Sequence, residues 1–197
     1  EISLGLRKRG HKVVIITEKF DRALKDIEVI DGIKIYRFSY PKIKFLGLIF
    51  IWLQLLRRFQ LIKMSDIVHA HDVFVWYLPF RFLFPKKVVY TTFHGWEGRY
   101  PIPLKNKFFR KVAENLSWGN ICAGDYLKKW YGTNPDFVTY GGVNEIKNDN
   151  VKFKVIFIGR LTDESGLVTY LEALKFLKFP RDQIVFLGDG PLRDEAN

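Results

Sequence analysis

Short apolar runs, several of them β-branched, recur along the chain between longer stretches with helical spacing of apolar and polar positions. The runs at residues 12–17, 66–70, 87–93, 119–123 and 137–140 read as strands. Residues 32–38 read as another, entered through the Asp31-Gly32 turn signal. Between them, 44–63 predicts a long apolar helix, 73–84 a helix that Pro79 should kink or shorten, 104–116 a basic helix and 125–131 a short one. Residues 1–9 look like the tail of a helix closed by Gly10. Later, the apolar run 155–158 leads into Gly159-Arg160-Leu161, a helix is expected after Ser165-Gly166, and the run 184–187 leads into Gly188-Asp189-Gly190-Pro191.

Strands and helices alternating in this way argue for an α/β fold of parallel sheets with helices on both faces. The polar stretch 141–150, with its Gly-Gly and Asn-Asp-Asn, divides the pattern. The organisation expected is a first domain over 1–145, a linker over 146–152 and the start of a second domain over 153–197. No strand precedes the first helix, and the last helix begins at Leu192 with little room to run. The chain is therefore expected to be a piece of a longer protein, its first domain lacking the opening strand. There is no internal repeat and no low-complexity tract.

Composition adds two constraints. With 48% hydrophobic and 27% charged residues among 197, the chain is globular rather than disordered. Its single cysteine, Cys122, excludes an internal disulfide and suits a reducing cytosol. The net charge of +11 is uneven: residues 1–145 hold 24 Lys and Arg against 13 Asp and Glu, whereas the remainder holds 8 of each. An anionic partner is expected for the basic part.

Two places could carry chemistry. A strand-to-helix turn bearing Arg160 sets backbone N–H groups and a fixed cation where a phosphate could dock. His94 ends an apolar strand in a loop with Gly95 and Gly98, and ligands of open α/β sheets sit at such carboxyl ends. His71 and Asp72 end the neighbouring strand, where plain strand-end capping is the competing explanation. Four scattered histidines and one cysteine give no metal-ligand spacing. No Ser-His-Asp arrangement, complete dinucleotide fingerprint or nucleic-acid motif is present.

In order along the chain, Lys8-Arg9-Gly10-His11-Lys12-Val13-Val14-Ile15-Ile16-Thr17, Asp66-Ile67-Val68-His69-Ala70-His71, the strand 88–94, Tyr140-Gly141-Gly142-Val143-Asn144, Gly159-Arg160-Leu161 and Gly188-Asp189-Gly190-Pro191 resemble retaining GT-B glycosyltransferases of family 4. The resemblance implies two Rossmann-like domains and transfer of a sugar, with retention, from a nucleotide-diphosphate sugar. It calls for no metal and no cofactor, the nucleotide sugar being a co-substrate. It implies that Arg160 contacts the diphosphate, with Gly159, Ser165, Gly188 and Gly190 around the donor, and that His94 lies near the transferred sugar. His71, Glu97 and Arg99 become acceptor-side candidates. Ser165 departs from the pattern, since the family usually has a lysine there; a hydroxyl can bond a phosphate but brings no charge, so either weaker donor binding or a cation from a segment outside this sequence is expected.

The apolar run at residues 45–56 is bracketed by Lys42, Lys44, Arg57, Arg58 and Lys63. Twelve helical residues extend ~18 Å, short of a hydrocarbon core of ~30 Å. Its polar stripe is narrow, so Phe45, Leu48, Ile49, Trp52, Arg57 and Arg58 are expected to meet an anionic membrane surface. A buried core helix and a protein interface are the alternatives. Taken with the family resemblance, these features imply a lipid-linked or membrane-proximal glycan acceptor, a cytoplasmic position on the inner membrane face, and a part in cell envelope polysaccharide synthesis. A noncatalytic membrane- or anion-binding module and a GT-B sugar-nucleotide epimerase are the other readings; a nucleic-acid partner is not expected.

Overall fold

Parallel pairing dominates because the connections between strands are long enough to hold helices. The computed structural model describes residues 2–43, 45–95, 101–140, 155–177 and 180–196. The chain divides into two units, Glu1–Tyr140 and Gly141–Asn197. The expected linker lies outside the described residues, so only the division is observed.

Unit 1 opens with α1 (Ile2–Lys8), β1 (Val14–Glu18), β2 (Ile27–Ile30) and β3 (Ile33–Phe38). β1 pairs with β3 in parallel and β2 with β3 in antiparallel fashion. Asp31 and Gly32 join the last two with φ of 48° and 72°, the two positive angles that a tight hairpin turn needs. The sequence reading found this turn but not the strand entering it. Ile27, Val29 and Ile30 are exposed on the sheet edge, so no buried alternation marks them.

The single helix expected over 44–63 is two, α2 (Leu46–Leu56) and α3 (Phe59–Met64). Arg58 makes the break. Its guanidinium turns back to the Gln54 carbonyl (2.9 Å) and lies over the rings of Tyr36 and Phe38. Its backbone N–H meanwhile closes on Leu55 in a tightened last turn.

β4 (Ile67–His71) and α4 (Phe74–Leu83) follow. α4 continues past Pro79 to Leu83, so of the kink or shortening expected there the shortening is not seen. Proline lacks the N–H that would bond the carbonyl four residues back, which belongs to Val75. Trp52 of α2 supplies the missing donor: its indole N–H reaches the Val75 carbonyl at 3.1 Å. Trp52→Phe should therefore cost about 1–3 kcal/mol by leaving that carbonyl without a partner. In the Pro79→Ala background, where a backbone N–H returns, the same change should cost distinctly less. Urea unfolding of the four chains in this cycle measures the coupling.

The unit closes with β5 (Val88–Phe93), α5 (Leu104–Leu116), β6 (Gly119–Cys122), α6 (Tyr126–Tyr131) and β7 (Phe137–Val138). β4, β5, β6 and β7 form a parallel sheet in that order. One apolar core runs from Phe38 of β3 through Ile51 and Leu55 of α2, Phe74 and Phe80 of α4 and Val89 of β5 to Leu127 of α6. Among the described residues, no helix is long and apolar enough to cross a membrane.

Unit 2 contains β8 (Val155–Ile158), α7 (Leu167–Leu177), β9 (Ile184–Leu187) and α8 (Arg193–Ala196), with β8 and β9 parallel. Phe157, Tyr170 and Phe186 form an aromatic triangle that holds α7 to this pair of strands.

Candidate functional site

In unit 1 the register of β4 and β5 sets three histidines in a row. His69 and His71 share one sheet face because strand side chains repeat every second residue, and His71 stands opposite Thr92. His69 Nε2 lies 2.7 Å from the Thr92 hydroxyl, and its ring centroid is 4.3 Å from that of His71. His71 Nδ1 in turn lies 2.8 Å from His94 Nε2, with the two rings stacked. A contact between two ring nitrogens requires one to donate and the other to accept, so it holds one proton, not two.

The backbone of the His94 loop is fixed from several sides. The His94 N–H donates to the Asp72 carboxylate at 3.1 and 3.2 Å. The Tyr126 hydroxyl donates to the His94 carbonyl (2.6 Å), while Tyr131 and Arg110 both donate to that of Gly95 (3.1 and 2.8 Å). Asp72 itself has φ of 57°, a left-handed conformation that aspartate tolerates better than most residues. Arg110 is 6% exposed, pairs with Asp72 at 3.6 Å and lies over the rings of Phe93 and Tyr131.

Burial above all, then the neighbouring His71 and His94, pushes His69 down to about 4. Burial also lowers His71, His94 adds to the effect, and Asp72 partly opposes it. Both rings are thus neutral in the fold at pH 7. An unfolded histidine takes up its proton near pH ~6.5. Below that pH the unfolded chain binds more protons than the folded one, so stability is complete above it and falls as the pH drops toward 4. Both rings are partly exposed, and screening limits the loss to on the order of 1 kcal/mol. Thermal unfolding followed from about pH 7.5 to about pH 4.5 should show this fall, and His69→Gln should flatten it.

Beside Asp72 and Phe93 a cavity of about 720 Å³ opens between α2, α4 and α5. Phe45 and Leu48, two of the residues expected at a membrane, line it. Ile49 and Arg57 are exposed. Trp52 and Arg58 are half-buried, with the Trp52 indole N–H on the Val75 carbonyl and the Arg58 guanidinium over the rings of Tyr36 and Phe38. Glu97 and Arg99 lie outside the described residues.

In unit 2 the two strand-end loops are laced together by backbone bonds. The Gly159 N–H meets the Leu187 carbonyl (3.1 Å), Leu161 that of Asp189 (2.9 Å), and Leu192 that of Leu161 (3.0 Å). A Cβ on Gly188 would collide with the Gly159 carbonyl, and one on Gly190 with that of Leu161. These two glycines therefore have a packing role as well as the donor role expected of them. Arg160 is exposed at the crest of this pair of loops. Ser165 is different: its hydroxyl donates to the Thr162 carbonyl at 2.6 Å, so in this arrangement it offers no proton to a phosphate.

The structure thus brings His71 and His94 together in unit 1, and Gly159, Arg160, Gly188 and Gly190 together in unit 2. Sequence reasoning missed His69, Arg110, Tyr126 and Tyr131. A signal for Arg110 existed: it occupies the buried stripe of α5 together with Ala113, where a cation requires a partner. Among the described residues, no group of three or more His, Cys, Asp or Glu side chains is arranged to hold a metal ion.

Comparison with curated proteins found no match. The family model for Glycosyltransferase Family 4 matches residues 1–139, a segment that contains the histidine row, Asp72, Arg110 and the cavity. With the parallel α/β fold and most of its length matched, the chain belongs to Glycosyltransferase Family 4.

Proposed function

We propose that the intact protein transfers a sugar, with retention and without a metal, from a nucleotide-diphosphate sugar to a lipid-linked or membrane-proximal glycan. The observation that carries this reading is the His71–His94 pair at the carboxyl ends of two neighbouring parallel strands, with the His94 backbone held on its N–H and its carbonyl. A sugar hydroxyl is positioned best by a group that cannot drift, and His94 meets that requirement. With Nε2 engaged by His71, Nδ1 is the nitrogen that would bond the hydroxyl.

The departing diphosphate needs a fixed cation, and Arg160 at the end of β8 suits that role. The basic excess of residues 1–145 and the exposed apolar face of α2 (Ile49 at 48%, Leu53 at 49%) favour an acceptor at an anionic membrane surface. Its place would be the cytoplasmic face of the cytoplasmic membrane, and its product a component of envelope polysaccharide.

Turnover of sugar nucleotides by the full-length protein, with an anionic lipid acceptor, tests the reading. His94→Ala should lower kcat/KM by about 100-fold or more. Arg160→Ala should act mainly through the donor, raising its KM by roughly tenfold or more. Undiminished turnover by His94→Ala would overturn the assignment of that residue. Absence of any turnover with every sugar nucleotide offered would overturn the reading as a whole.

A further inference from the structure

The cavity between α2, α4 and α5 has no part in the donor chemistry above, yet it adjoins the residues that hold His94. Its inner wall is apolar and buried, with Phe74 and Phe93 at 3% and 2% exposure. Its lip is accessible and mixed: Phe45 is 76% exposed, Phe109 is 42% exposed, and Lys105 stands beside the Phe109 ring. At about 720 Å³ it falls within the range of small-molecule pockets, about 300–1,000 Å³.

We propose that this cavity takes one hydrocarbon chain of an anionic bilayer lipid, with the lipid phosphate at Lys105. The proposal rests on the lipid-linked acceptor reading given above, and supplies that acceptor with a place to bind. Three observations select this occupant. Seven of the eleven lining residues are apolar and offer an aliphatic chain contact, while Asp72 and Arg110 are already paired with each other and Lys105 is left as the exposed cation. Both helices that flank the lip expose apolar residues, Ile49 on α2 and Phe108 (64%) on α5. On α5, Lys105, Lys107 and Lys111 accompany them, a combination suited to an anionic lipid surface. A chain could pass from a bilayer seated on these two helices into the cavity without crossing water.

Phe45 supplies a further indication. Its φ of 62° is an outlier for a bulky residue, and the side chain so placed is largely exposed at the lip. Strain of this kind costs stability, is held by the surrounding structure, and clusters at ligand-binding sites. Removal of the ring should therefore have opposite effects on stability and on binding.

The test is calorimetric binding of octyl, decyl and dodecyl phosphate, each below its micelle concentration, to the full-length protein. Affinity should rise about fifteenfold for each pair of added methylenes until the cavity is filled. Phe45→Gly should bind dodecyl phosphate severalfold more weakly while unfolding at the same temperature as the parent or higher. Leu48→Trp, which places a ring in the cavity, should abolish the dependence on chain length. A flat chain-length series, or an unchanged one in Leu48→Trp, overturns the proposal. Chain-dependent binding without sugar transfer to lipid would retain the site and remove the acceptor reading. Transfer to lipid with a flat series would do the reverse.

Discussion

Arg110→Ala should lower the unfolding temperature of unit 1 by roughly 10 °C, corresponding to about 3–5 kcal/mol. Three losses combine in that value. The guanidinium lies between the rings of Phe93 and Tyr131, and truncation leaves a void in that stack. The Gly95 carbonyl loses one of its two donors. Asp72 loses the cation that faces it, and with it part of what steadies the carboxylate under the His94 N–H. Arg110→Met separates these contributions, because it keeps much of the volume and removes the charge. If packing dominates, the Met variant should recover most of the stability, yet its sugar transfer should stay low because Asp72 has lost its cation and the Gly95 carbonyl keeps only Tyr131 of these two donors. Arg110→Lys retains the charge but loses the planar stack, and should fall between the two in stability. Differential scanning calorimetry with turnover on the same samples distinguishes the cases. An Ala variant within about 1 kcal/mol of the parent would show that the surrounding rings close over the gap unaided.

The contrast between His94 and Arg110 shows what the sequence made legible. His94 and His71 follow apolar β-branched runs, and the ends of parallel strands are where ligands bind, so position along the chain sufficed to nominate them. The helix carrying Arg110 was evident, but not the loop it would reach, since that contact joins residues 15 positions apart across a tertiary gap. Tyr126 and Tyr131 escaped notice for the same reason: their hydroxyls act on carbonyls more than 30 residues away.

Fold features divide in a similar way. The repeating strand–helix order was readable because buried parallel strands are continuously apolar. The break between α2 and α3 was not, because every residue near it tolerates a helix and the cause is Arg58 reaching back to Gln54 and across to β3. Pro79 does not shorten its helix for a related reason. Part of the cost of an internal proline is the carbonyl left without its N–H partner, and here Trp52 provides one from another helix. The same bond explains why Trp52, placed by its neighbours in a membrane-facing run, is directed inward.

In unit 2, Gly188→Ala should separate the two strand-end loops and lower nucleotide-sugar affinity of the intact protein by about 100-fold, at a local cost above ~3 kcal/mol. The reason is geometric. The loop after β9 passes so close to the loop after β8 that a methyl group at Gly188 would overlap the Gly159 carbonyl oxygen. Backbone is what it meets, and no rotamer change can clear the way. The collision lies between two backbone bonds, Gly159 N–H to Leu187 and Leu161 N–H to Asp189, and both must lengthen to relieve it. Arg160 sits between those bonded residues, so any separation moves the cation intended for the diphosphate. Gly159→Ala provides the control on the facing loop. Its new methyl would meet only the Phe157 ring, at 3.5 Å, an ordinary contact, and the change should cost less than about 1 kcal/mol. Hydrogen exchange at the Gly159 and Leu161 amides reads the loop geometry directly, and donor titration reads its consequence. Gly188→Ala should expose both amides to exchange and weaken donor binding together. Parent-like protection with weakened binding would instead mean that Gly188 touches the donor itself, and parent-like values of both would show that the loops have room the close backbone approach denies.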